Sequence, residues 1–229
     1  HTVALQTALG RTRSFAIAKD VSDVQTRTNV GFDGLTTVTQ YNPDSSVLRT
    51  EADGTTTAVT YGPDDRFGMV SPVPNKLVLS TGGKTLTLQQ SRVATLSTPL
   101  DPLSVVQATD TVTINGKAFT TTFDKSVSPN TVTRITAASR TTVTEVNALG
   151  RPTKVTVQGA LNLAPTAMTY YGAADGIKSG RLKTVTQTDG VQTRLYTLDY
   201  DGGGNLLSIA GPLNRTVLFS YDQATRVTS

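Results

Sequence analysis

The chain lacks cysteine altogether and holds one histidine, the terminal His1. No disulfide and no thiolate metal site can form, and catalysis through a nucleophile and a histidine base is excluded. Glutamate occurs at Glu51 and Glu145 only. Charged residues make up 17% of the chain, in no long run of one sign. The net charge of +4 is spread thinly. Its densest basic stretch, Arg11-Thr12-Arg13, has no aromatic interleaving, so no nucleic-acid partner is expected. No apolar run is long enough to span a membrane, no heptad is present, and membrane insertion is not expected.

What is present is threonine, in excess, followed by valine and leucine. Thr and Val are β-branched and suit a pleated, half-buried surface. Nineteen glycines and ten prolines supply turns. The composition points to an all-β chain. "GRLKTVTQ" alternates with a period of two, placing Leu182, Thr184 and Thr186 on one face. Two hairpins can be registered. Gly82-Gly83 centres "LVLSTGGKTLTL" and pairs Leu79 with Leu86 and Leu77 with Leu88. Asn115-Gly116 centres "DTVTINGKAFTTTF" and pairs Val112 with Phe119. Each hairpin has one apolar and one Thr-rich face, so it is expected in a larger sheet with one face covered and one wet. No long helix is expected. The stretch 89–108 is the least regular, and no domain boundary is legible within 1–229.

An aromatic followed by a turn cluster and then an alternating run recurs. It is read at Phe32-Asp33, Tyr41-Asn42, Tyr61-Gly62, Phe123-Asp124, Tyr171-Gly172, Tyr200-Asp201 and Tyr221-Asp222. A Gly-Arg turn leads into a strand in "LGRTRSFAI", at Gly150-Arg151 and at Gly180-Arg181, with Asn205 where an Arg would stand in "GGNLLSIAG". The expected architecture is a repetitive antiparallel strand-turn-strand ribbon. In it Tyr supplies a packing contact and Asp a turn acceptor.

"YDQATRVTS", "LDYDGGGNLLSI" and "LGRPTKVTV" resemble the YD repeats of the RHS-repeat family, and the resemblance extends over nearly the whole chain. Several copies depart from Tyr-Asp, among them Val146-Asn147. The resemblance implies a β-ribbon that spirals into a curved hollow shell, a hairpin solenoid secreted or displayed by bacteria. Such a shell encloses a C-terminal toxin or effector domain in some members. It implies neighbouring repeats as partners, and the chain reads as a segment of a longer array. The self-cleaving aspartyl site of some members is not carried over, because Asp101-Pro102 is followed by Leu103-Ser104.

Chemistry beyond this is sparse. Gly82-Gly83-Lys84-Thr85 ends like a phosphate loop but leads into a strand. Asp199 to Asn205 begins like a calcium loop, yet its twelfth position is Ala210. Asp64-Asp65, Asp199 and Asp201 are the carboxylates from which a hydrolase pair would come, and no converging set is evident. Asn214-Arg215-Thr216 is a glycosylation sequon on paper. The chain therefore reads as non-catalytic and free of cofactors. A carbohydrate-binding surface, with Tyr200 and Tyr221 as glycan contacts, is the alternative. Free strand edges predict edge-to-edge self-association.

Overall fold

The computed structural model describes residues 1–159 and 163–228. It is all-β and antiparallel, and each strand pairs with the next in sequence. The chain divides into two compact units, 1–120 and 121–229.

The first unit contains β1 (Thr2–Gln6), β2 (Thr12–Lys19), β3 (Gln25–Val30), β4 (Thr36–Tyr41) and β5 (Val47–Thr50). It continues with β6 (Thr56–Asp64), β7 (Gly68–Thr81), β8 (Lys84–Leu96) and β9 (Val105–Ile114). Strand β10 (Lys117–Asp124) holds the boundary. The second unit contains β11 (Asn130–Ile135), β12 (Thr141–Val146), β13 (Pro152–Gln158) and β14 (Thr166–Tyr170). After these come β15 (Leu182–Thr188), β16 (Thr193–Tyr200), β17 (Leu206–Ala210) and β18 (Thr216–Leu218). Two short 3-10 turns, Ala173–Lys178 and Pro212–Asn214, interrupt the strands.

Both hairpins form where the sequence puts them. Leu77 pairs with Leu88 and Leu79 with Leu86. Gly82 and Gly83 both have positive φ, as do Asn115 and Gly116, which a two-residue primed turn requires. The irregular stretch shrinks to the loop between β8 and β9. Prolines 99 and 102 stand there, each without an N–H to give a ladder.

Each sheet is two-sided. In the first unit Val47, Val59, Leu77, Leu88 and Ile114 form a row across five strands. Thr28, Val38, Thr50, Thr56, Ser80 and Thr85 form a row on the opposite face. In the second unit Thr169, Thr184, Thr197, Ala210 and Thr216 run across one face. Met168, Val185 and Tyr196 lie on the other.

The expectation that one face is covered fails within each unit. Among the described residues only Gly62, Asp64, Val146 and Gly204 are buried. Among the described residues no helix is long enough to form a second layer within either unit, so the apolar rows are shielded chiefly by their neighbours along the sheet. Cohesion therefore rests on ladder hydrogen bonds, cross-strand side-chain pairs and turns.

One turn recurs nine times among the described residues. It starts at Thr7, Asp20, Gly31, Asn42, Glu51, Thr136, Asn147, Asp201 and Asp222. In each, the first residue donates its N–H to the carbonyl of the fifth, and the fourth donates back to the carbonyl of the first. The fourth residue always has positive φ: Gly10, Asp23, Gly34, Ser45, Gly54, Ser139, Gly150, Gly204 and Thr225. This is a type I turn followed by a left-handed bulge residue, which matches the twist of an antiparallel pair. A left-handed conformation costs an L-residue about 1–2 kcal/mol. Ser139→Gly is therefore expected to stabilise the protein by up to about 1 kcal/mol, read as a higher urea midpoint at unchanged slope.

Candidate functional site

Three of the side chains that close these turns, Asp33, Asp201 and Asp222, are residues the sequence singled out. The amide of the fifth residue is captured every time by an oxygen of the turn itself. In five turns that oxygen belongs to the first residue: Thr7, Asp20, Thr136, Asn147 and Asp201, at 2.8–3.2 Å. Asp222 does the same for Arg226 at 2.9 Å. In the other three it belongs to the third residue, Asp33, Asp44 or Asp53. The aspartates of Tyr200-Asp201 and Tyr221-Asp222 are thus turn acceptors.

In the second unit the tyrosines and Gly-Arg pairs complete the device. Alternate turns of an antiparallel meander lie at the same end of the sheet. At one such end stand 147–151, the longer connection 171–181, and 201–205. The residue just before each is Val146, Tyr170 and Tyr200. A register shift falls at each of the three, accommodating one extra residue in the facing strand. The Tyr170 hydroxyl donates to the Pro152 carbonyl at 2.7 Å, and Tyr200 to Leu182 at 3.0 Å. Tyr221 donates to Leu206 at 2.8 Å. Each acceptor is the residue that follows the preceding turn at that end.

The arginine one position earlier lies over the same ring. Arg151 sits 5.7 Å from the Tyr170 centroid, and Arg181 sits 5.3 Å from that of Tyr200. Each guanidinium also covers the left-handed glycine of the next turn, Gly180 and Gly204 respectively, where a Cβ would displace it. Gly180 and Gly204 are thus needed twice, for their positive φ and for close approach.

Not every sequence-stated position fits this frame. Tyr170 stands where Tyr200 stands, so the recurring ring is one residue earlier than Tyr171. Tyr171 instead donates to the Leu198 carbonyl at 2.8 Å and meets Tyr200 edge-on at 6.0 Å. Phe32 and Asp33 occupy the second and third places of their turn. Tyr41 precedes its turn, with Arg27 over its ring at 4.6 Å. Tyr61 pairs with Pro74 in the ladder. Asp124 accepts the Ser126 amide at 2.8 Å, and Lys125 lies over Phe123.

Two charge clusters were not legible in sequence. In the first unit the buried Asp64 accepts the amides of Arg66 (2.9 Å) and Phe67 (3.2 Å). Arg66 and Arg92 approach it at 3.5 and 3.8 Å. Arg92 forks onto both oxygens of Asp110 at 2.5 and 2.8 Å. The amide of Arg66, opposed by burial, holds the Asp64 carboxyl below its ordinary value. Asp65 accepts the Ala94 amide at 2.6 Å. In the second unit Lys178 donates to Asp199 at 2.5 Å. That bond lowers the Asp199 pKa and raises that of Lys178. Burial raises the Tyr171 and Tyr200 hydroxyls.

The carboxylates considered for hydrolysis are thus engaged elsewhere. Asp199 is tied to Lys178, Asp201 to its turn, Glu51 to Arg49 and Thr37, and Glu145 to Lys154. Asp64, Asp199, Asp201 and Glu51 are all held below the ordinary carboxylate range, the opposite of what a general acid needs. The calcium-like oxygens of Asp201 serve the amides of Gly203 and Asn205. Gly82-Gly83 is a hairpin turn. Among the described residues no three metal-ligating side chains converge. As glycan contacts, Tyr200 and Tyr221 have hydroxyls already spent on carbonyls, and the Tyr200 ring carries Arg181 and Tyr171.

No family model matches the chain, and no curated protein matches it. Among solved structures it is similar to a porin-like protein from Bacteroides uniformis, at 10% identity and a TM-score of 0.31, over 96% of this chain and 95% of that one. A likeness that distant carries no functional argument. Among the described residues no helix is long and apolar enough to cross a membrane.

The turn aspartates give an acid signature. Amide hydrogen bonds from Asn205 and Arg226 hold Asp201 and Asp222 below the ordinary value of 3.8. Folded values below the unfolded one mean that this stabilisation is complete above pH 3.8 and drains away as pH falls through the folded values. Asp201→Asn keeps an acceptor, as Asn147 does in its own turn. It is expected to hold its neutral-pH melting temperature and to lose less on acidification. Asp201→Ala, which leaves the Asn205 amide without that acceptor, is expected to melt at a lower temperature at neutral pH. Thermal melts by circular dichroism across the acid range check both. Tyr200→Phe, which frees the Leu182 carbonyl, is expected to cost about 1 kcal/mol by urea unfolding.

Proposed function

We propose that the chain is a non-catalytic wall segment of a secreted shell of the RHS/YD-repeat type, a hairpin ribbon that encloses a separate effector domain. The observation that carries this reading is the nine-fold recurrence of one turn in sheets that lack a second layer. A chain that acts on a substrate concentrates unusual side-chain environments at one place. Here the carboxylates, hydroxyls and guanidiniums that the sequence offers are spread along the sheet ends. They hold successive turns together.

The two-sided sheet supports the same role. A wall needs one face suited to water and one suited to what it covers. The threonine rows and the apolar rows supply these two faces in each unit. Neighbouring repeats, or further copies pairing along strand edges, are the partners this reading requires.

Negative-stain electron microscopy of the secreted protein is expected to show hollow particles with a thin wall. The folded chain by itself is expected to bind a hydrophobic dye through its uncovered apolar rows. Compact monomers that leave the dye unbound would overturn the reading.

A further inference from the structure

The arginine clamp of the second unit has a vacant counterpart in the first. Arg11 is the fifth residue of the turn that starts at Thr7, the place that Arg151 holds in its own turn. The next turn at that end of the first unit starts at Gly31. The residue before it is Val30, which pairs with Ser14 and so does not face Arg11 as Tyr170 and Tyr200 face their arginines. Arg11 therefore has no ring to cover. The left-handed glycine of that next turn, Gly34, is also uncovered, with nothing within 4 Å of a Cβ built on it.

An open cleft of about 610 Å³ remains, lined by Arg11, Arg13, Gly31, Phe32 and Asp33. Arg11 and Arg13 are two residues apart on one extended segment and so project to the same side. Neither has a carboxylate partner among the described residues, and the cleft brings the two together beside Phe32. Arg13 is braced against the Phe15 ring at 4.7 Å. Phe32 leaves 46% of its surface free. Asp33 spends one oxygen on the Leu35 amide at 3.0 Å. Its charge offsets one guanidinium, so the cleft keeps a net positive charge.

We propose that this cleft binds an acidic polysaccharide, one that carries carboxylate or sulfate groups on pyranose rings. The anionic group takes the guanidinium forks, which match the geometry of two acceptor oxygens. The apolar face of the sugar ring lies on Phe32, an exposed aromatic beside a few polar groups. The sequence places basic residues at 11 and 13 without an interleaved aromatic. The fold supplies the aromatics from Phe15 on the same strand and from Phe32, on the turn between β3 and β4.

Binding of polygalacturonate and of heparin fragments is measured by calorimetry at low salt, with neutral dextran and single-stranded DNA of matched charge as comparators. The unaltered protein is expected to bind both acidic polysaccharides and not dextran. Arg11→Ala with Arg13→Ala is expected to weaken Kd by about tenfold or more, and Phe32→Ala by about threefold. Lys84→Ala with Lys117→Ala removes equal charge from two hairpin turns and is expected to change Kd by less than about twofold. If the arginine-to-alanine pair melts early, Arg11→Lys with Arg13→Lys keeps the charge, loses the fork and is expected to bind severalfold more weakly. The proposal is overturned if the unaltered protein binds neither polysaccharide, if both double substitutions weaken binding equally, or if DNA binds as tightly as heparin.

Discussion

The nine recurring turns share one side-chain hydrogen bond that completes the two backbone bonds of each. A side-chain oxygen inside the turn accepts the amide of the fifth residue, and the fourth residue sits in the left-handed region. Without that acceptor the amide is left to water, and the two backbone bonds alone hold the turn. Aspartate does the job from the first or the third position, and asparagine and threonine do it from the first. That chemical tolerance explains why the recurring motif looks degenerate in sequence while the turn geometry barely varies.

A protein with almost no buried side chains cannot draw its stability from a core. The hydrophobic term is divided among rows that are covered only by their neighbours in the same sheet. Polar closure of turns, ladder hydrogen bonds and ring-guanidinium contacts carry proportionately more. The same economy accounts for the tyrosine hydroxyls, which donate to carbonyls just beyond a bulge, where the ladder is least regular. The buried Asp64 shows the limit of the arrangement. Its charge is tolerated there because two amides and two guanidiniums surround it.

Much of the local structure is legible in the sequence. The Gly82-Gly83 register followed from the period of two and the length of the turn, both properties of neighbouring residues. Asp201 and Asp222 were readable as turn acceptors for the same reason. The covered face expected for each hairpin is not found, because covering requires a second layer and among the described residues neither unit supplies a long helix or a second sheet to form it. Tyr170 was passed over for Tyr171, since Tyr-Tyr-Gly offers two rings and the choice depends on a bulge in the facing strand.

The sequence by itself determined the β class, the alternation of strand and turn, and the turn chemistry. These depend on residues within about five positions of one another, where side-chain period and backbone preference decide. The tertiary structure alone decided that Arg151 covers Tyr170 and Arg181 covers Tyr200, that Arg92 joins Asp64 to Asp110, and that Arg11 is left facing an open cleft. Those contacts join residues brought together across strands. Their meeting is set by ladder register, and each bulge shifts that register by one residue, which no local pattern in the chain records.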